Sequence, residues 1–260
     1  WKWQEKVKEF HNNPMVEAVD TMLPALTFSR HVARPYFISE WDEPWPNEWR
    51  AESPIYMAAV GALQNWSGFA IHTYSYSSMR SIEVTGKEVS SQAIGSVPYR
   101  EGVFNTWNDP AKFGLFYHSA LLLRRGDVKE ANKSYGIKVK NMALTPGKIP
   151  ALSLITEKHK AGLILDSNEK DCKDFDNDIV NNVISPDERV ADIDKGEVLS
   201  DTGELYRSWD KRIGWIDSER TKAIYGFVGS VPCIDLKDVS LEVKTDFATI
   251  AMSSLTDKPI

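Results

Sequence analysis

Glu40 is the residue of this chain whose type and position best suit chemistry. The segment Tyr36 to Ser39 predicts a short buried strand, and Pro35 stands at its entry, where a missing N–H costs little. A glutamate at the carboxyl end of a barrel strand is typical of a catalytic group, because that face carries the active site. We therefore predict a catalytic role for Glu40, with a strand-end salt bridge to Arg34 or Arg50 as the alternative.

Three tryptophans follow Glu40 in a loop that is rich in aromatic residues and proline. Trp41, Trp45 and Trp49 all lie within residues 41–50. A sugar has apolar C–H faces that can stack on flat indole rings, so this loop suits a carbohydrate ligand. The alternative for each of these rings is packing within the loop itself.

Other acidic side chains near this loop are expected to be solvated or paired with arginines: Glu43, Glu48, Glu52 and Glu101. The segment 174–178 has Asp at every second position, but it lacks the glycine and the distal glutamate of an EF-hand. A solvated acidic turn is therefore favoured there over a calcium site. The sequence has no zinc-type Cys/His spacing, phosphate loop or Ser-His-Asp signature, so we predict no metal and no organic cofactor.

Composition and charge limit the classes of function that the chain can have. Its 260 residues suit one large domain or two smaller ones, with enough apolar sequence for a sizeable core. The formal net charge of −6 argues against a nucleic-acid partner, which needs a basic surface. No apolar run approaches the roughly 18 residues of a membrane-spanning helix. Cys172 and Cys233 leave open both a disulfide and two free thiols.

Two styles of sequence meet near residue 130. Before it, segments with helical and strand-like spacing alternate, with helices predicted from Ser53 and Asp109 and a second strand over 69–74. That alternation is typical of parallel βα units. After it, short apolar runs separated by turn residues predict an antiparallel sandwich. We therefore expect an α/β domain over 1–130 and an all-β domain over 131–260.

Four stretches of the first half together resemble a known family of enzymes. They are residues 35–41, 46–52, 64–74 and 108–128. In this order they are similar to the C-terminal part of a clan A glycoside hydrolase of the retaining type, a (β/α)8 TIM barrel followed by a β-sandwich. Residues 199–205 and 216–226 resemble sandwich strands found after such barrels.

The resemblance implies that Glu40 is the nucleophile of a hydrolase that cleaves β-glycosidic bonds in a polysaccharide or oligosaccharide. It implies a carbohydrate-binding surface formed by the following aromatic residues: Trp41, Trp45, Trp49, His72, Tyr74 and Trp107. The alternatives are a backbone-bonded core histidine for His72 and helix-end packing for Trp107.

The resemblance also implies that part of the barrel lies outside this chain. A (β/α)8 barrel takes about 250 residues, so 1–130 would supply only its last two strands and their helices. The second catalytic carboxylate of the clan would then precede Trp1, in the same or a separate chain. The sequence begins with neither an initiator Met nor a leader, so we expect a processed or truncated chain.

The substrate class implies a secreted or periplasmic protein. Two other interpretations stay open at this point. A non-catalytic carbohydrate-binding protein would use the Trp41–Trp49 loop or the sandwich face. A purely structural role would have the sandwich brace a barrel made by another chain.

Overall fold

A computed structural model describes residues 12–19, 26, 29–31, 34–75, 104–107, 109–139, 154–165, 183–184 and 193–260. Cys172, Glu101 and the acidic segment 174–178 lie outside these residues, and so do the sequence-based expectations for them.

The first half contains the predicted strand–helix–strand unit. Strand β1 is Phe37–Trp41, helix α1 is Ser53–Leu63 and strand β2 is Gly68–Ile71. The two strands pair in parallel, and the helix between them supplies the crossover connection that a parallel pair requires. The predicted strands and helix are thus confirmed, with β1 two residues longer and β2 three residues shorter at their carboxyl ends.

Helix α1 is buried on nearly every side. Of its residues only Ala62 is outside the buried set, which includes small side chains and glycine. A helix that is apolar all round belongs in the core of a protein rather than on its surface. Helix α2, Leu115–Arg124, packs against α1, where Ser119 Oγ donates a hydrogen bond to Pro54 O at 2.8 Å.

Helix α2 begins later than the sequence predicts. Asp109 does not cap an α-helix but a turn, in which Ala111 N donates to Asp109 Oδ1 at 3.1 Å and Phe113 N donates to Asp109 O at 2.9 Å. The turn covers residues 110–114, and regular helix follows from Leu115.

A five-stranded antiparallel sheet lies in the part of the chain from residue 197 onward. Its strands are β6 Glu197–Leu199, β7 Leu205–Ser208, β8 Ile213–Asp217, β9 Thr221–Gly226 and β12 Ala248–Ser253. Across the sheet they lie in the order β12-β9-β8-β7-β6. A separate antiparallel pair follows β9, formed by β10 Ile234–Asp235 and β11 Ser240–Leu241. The mixture of helices with an antiparallel sheet agrees with the predicted α/β plus all-β content.

The antiparallel sandwich predicted for 131–260 is only partly correct, because three strands there are parallel. They are β3 Ser134–Val139, β4 Lys160–Leu165 and β5 Val183–Ile184, with the one-turn helix α3 Ile155–Lys158 before β4. Strand β3 lies between β4 and β5 and pairs in parallel with both. An alternating run such as 137–140 predicts a strand, but it does not determine the direction of the strand's neighbours.

One hydrophobic core crosses the predicted domain boundary at residue 130. Its buried members include Ile55 and Leu63 of α1 together with Ile216, Ala223 and Tyr225 of the antiparallel sheet. The boundary stays a prediction, but the two segments share their apolar interior.

A buried ion pair joins the same segments. Arg207 of β7 donates from Nε and Nη2 to the two carboxylate oxygens of Glu157, each at 2.6 Å. Its Nη1 donates to the carbonyl oxygens of Val16 and Ala18 at 3.2 and 2.5 Å, and Tyr56 Oη donates to Glu157 Oε1 at 2.7 Å. Four separate stretches of chain therefore meet at one guanidinium–carboxylate contact.

We expect Arg207→Ala to lower the free energy of unfolding by about 3–5 kcal/mol, because it leaves the Glu157 carboxylate buried without its partner. Urea unfolding followed by circular dichroism measures the change. Arg124→Ala, at an exposed arginine of α2, is the matched control and should change stability by less than about 0.5 kcal/mol. If both variants lowered the free energy of unfolding by the same amount, the ion pair would not have the stabilising role described here.

Candidate functional site

A β-bulge determines where the Glu40 side chain points. Ile38 pairs with Phe69 and Trp41 pairs with Ile71. Between these two pairs β1 contains one more residue than β2, which is a β-bulge. Ser39 and Glu40 are consequently exposed in succession, while Ile38 and Trp41 are both buried. Bulges often occur next to active sites, where they redirect a side chain.

The Glu40 carboxylate lies close to the imidazole of His72, which directly follows the neighbouring strand β2. Glu40 Oε1 lies 3.9 Å from His72 Nδ1, and the Glu40 side chain is 68% exposed. The backbone of His72 extends the strand pair, since His72 N donates to Trp41 O at 2.9 Å. The carboxylate and the imidazole therefore stand side by side at the carboxyl end of the parallel pair.

Three of the predicted substrate-binding residues come together beyond β2. After His72 the chain leaves β1 and pairs with residues 104–107, with Thr73 N donating to Phe104 O at 3.1 Å. Trp107 N donates to Tyr74 O at 3.2 Å, and the His72 and Phe104 rings lie 5.2 Å apart. This change of partner explains why β2 ends before the predicted position. It also brings Trp107 against the backbone of Tyr74, two residues after His72.

Trp41 lies elsewhere, in the hydrophobic core. Its ring meets Phe69 edge-on at 5.5 Å, and only 4% of the residue is exposed. The structure thus corrects the predicted sugar platform at Trp41, because the bulge that turns Glu40 outward turns Trp41 inward.

Trp49 packs against the antiparallel sheet. Its ring centroid is 4.9 Å from that of Phe227 and 4.9 Å from that of Phe247, and those two rings are 5.3 Å apart. The packing role considered as its alternative is what the structure shows. Trp45, earlier in the same loop, is partly exposed and precedes Pro46 through a cis peptide bond.

Two ion pairs fasten this loop to the turn before α2. Arg50 binds both carboxylate oxygens of Asp109, at 2.7 and 3.1 Å. Lys112, fully buried, donates to Asp42 Oδ1 at 2.5 Å and to Glu43 O at 3.1 Å. Sequence reasoning missed Asp42 and Lys112, because partners this far apart along the chain leave no local pattern.

Burial makes two carboxyl groups of the loop weak acids. It raises the pKa of Glu43 to about 8. Among the described residues Glu43 Oε2 has no hydrogen-bond partner, whereas Oε1 accepts from Asn47 Nδ2 at 2.8 Å. Burial also raises the pKa of Glu52, whose carboxylate accepts from the backbone N–H groups of Met15 and Val16. The expectation of solvated side chains is wrong for both and correct for exposed Glu48.

The described part of the chain offers no group of three or more His, Cys, Asp or Glu side chains that could hold a metal ion. Among the same residues, no helix has the length and apolar character required to cross a bilayer.

Comparison of the chain with protein families, with curated proteins and with solved structures finds no match.

The raised pKa of Glu43 predicts a pH-dependent contribution to stability. The folded state holds this proton up to about pH 8, whereas the unfolded chain releases it near pH 4.5. The contribution is therefore fully present below about pH 4.5 and is lost as the pH rises through about 8.

In Glu43→Gln this contribution is absent, so its unfolding free energy should fall less steeply from pH 5 to pH 8 than that of wild type. The difference should reach roughly a few kcal/mol over this window. Urea unfolding at a series of pH values measures it. Glu48→Gln is the exposed control, and its curve should run parallel to wild type. A parallel curve for Glu43→Gln as well would refute the buried, protonated carboxyl.

Proposed function

We propose that this chain is the C-terminal part of a retaining glycoside hydrolase that cleaves β-glycosidic bonds in a polysaccharide or oligosaccharide, with Glu40 as the nucleophile. The observation that carries the proposal is the position of the Glu40 carboxylate, which a bulge presents at the carboxyl end of a parallel strand, 3.9 Å from His72.

The location of Glu40 supports this choice. In barrels built from βα units the catalytic groups come from the carboxyl ends of several strands, and β1 and β2 both end here. Exposed or partly exposed aromatic groups lie in the loop after β1 and in the paired segments after β2, among them Trp45, Tyr74 and Trp107. Rings of this kind can hold a sugar by its C–H faces while polar groups orient its hydroxyls.

The proposed reaction requires two carboxyl groups. Glu40 must be ionised to attack the anomeric carbon and form the glycosyl-enzyme intermediate. A second carboxyl group must protonate the departing oxygen and later activate water. We propose that this second group belongs to the part of the barrel outside this chain.

The sheet supports the idea of a partner segment. Within the described residues β1 and β2 form a sheet of two strands, whereas a (β/α)8 barrel closes on itself. We propose that polypeptide preceding this sequence, or a separate chain, supplies the remaining strands and the acid/base. A glycan substrate of this kind favours a secreted or periplasmic location.

The alternative is a carbohydrate-binding protein without catalysis. The 68% exposure of the Glu40 side chain favours it, because a nucleophile works in a site from which water is excluded. In that case Trp45, Tyr74 and Trp107 would bind glycan while Glu40 only orients it.

The test is covalent labelling with β-linked fluoro-sugars that carry a good aryl leaving group. Such a leaving group departs without a proton, so the label forms even where the acid/base carboxyl is absent. We expect mass spectrometry of the digested protein to find the label on Glu40. Glu40→Gln should abolish labelling, and in the completed enzyme it should lower kcat by about three orders of magnitude or more.

Glu48→Gln, an exposed glutamate of the same loop, is the control and should label as wild type does. A label on any other carboxylate would overturn the assignment of Glu40. Glycan binding without any label would favour the non-catalytic alternative.

A further inference from the structure

A row of exposed aromatic side chains continues from the candidate site along the surface. Tyr74, Phe113 and Tyr117 are 49%, 47% and 57% exposed. Tyr74 follows His72 by two residues, which places their Cα atoms within about 7 Å of each other. The row therefore starts close to His72, whose imidazole lies 3.9 Å from the Glu40 carboxylate.

One measured distance and one sequence spacing connect the three rings. The Tyr74 and Phe113 ring centroids are 6.2 Å apart. Tyr117 follows Phe113 by four residues through the turn that leads into α2, a separation that puts both on one side of a helical path. The exposed residues Ala120 and Arg124 continue on the same side of α2, whereas Ser119 and Leu122 face the core.

The rings are held by tilted or edge contacts rather than stacked on other rings. Tyr74 and Phe113 are inclined at 46° to each other, and Tyr117 meets the His118 ring at 82°. A Cβ built on Gly114, between Phe113 and the start of α2, would meet no atom of the described residues within 4 Å, so among these residues the surface beside the row is open.

We propose that Tyr74, Phe113 and Tyr117 form an aromatic row that binds successive sugar units of an extended glycan chain leading away from Glu40. This inference rests on the proposed function and deepens it, because it assigns to the site a polymeric substrate instead of a short saccharide. A single file of exposed rings suits a linear chain, whose sugars each present an apolar face.

The test is calorimetric titration of the whole chain with β-1,4-linked oligosaccharides of glucose, mannose and xylose, from disaccharide to hexasaccharide. For the sugar that binds, we expect affinity to increase by about tenfold for each added unit that reaches a ring. Phe113→Ala and Tyr117→Ala should each remove one such gain, while the disaccharide, which ends before these rings, binds as it does to wild type.

Phe37→Ala is the matched control. Phe37 is as exposed as the rings of the row, but it begins β1, at the end opposite to Glu40. It should leave the dependence of affinity on chain length unchanged. Circular dichroism of each variant confirms that the fold is retained.

The remaining outcomes distinguish failure of the aromatic-row proposal from failure of the proposed function. Binding that stops improving beyond the disaccharide would overturn the row and leave the proposed function standing. No binding at any length in all three series would count against both. Self-association that Phe113→Ala and Tyr117→Ala abolish would make the row a contact between copies of the chain and overturn the glycan proposal.

Discussion

The buried pair formed by Arg207 and Glu157 is the contact on which the arrangement of the chain depends. Two charges removed from water are tolerated only when each finds partners for all its polar atoms, and here those partners are drawn from four stretches of sequence. Helix α1, the antiparallel sheet and the segment around Val16 must therefore be in register for the pair to form. The ion pair can therefore form only when these three parts of the chain are packed in their native arrangement.

The candidate site follows from that packing through α1. Because the helix is buried on nearly all sides, the strands before and after it have fixed positions, and their carboxyl ends meet at one place. The bulge then decides which side chain faces solvent there. The pairs Arg50–Asp109 and Lys112–Asp42 hold the following loop, so the surroundings of Glu40 are fastened on two sides.

Much of the local structure could be predicted from the sequence, because it depends on neighbours along the chain. Apolar spacing was sufficient for β1, α1 and β2. It was insufficient for Trp41, since an unrecognised bulge reverses the side to which Glu40 and Trp41 point. Apolar spacing also could not predict the burial of Glu43 or the parallel pairing of β3, because both depend on contacts between residues far apart in sequence. The identity of the site as catalytic stays a prediction.

The aromatic contact of Trp49 with Phe227 and Phe247 has a practical consequence for anyone who divides this protein into modules. The loop beside Glu40 rests on residues near the other end of the chain. A cut at the apparent change of sequence style near residue 130 would strip that support and expose three rings to water. The two halves are better cloned, exchanged and evolved as one unit.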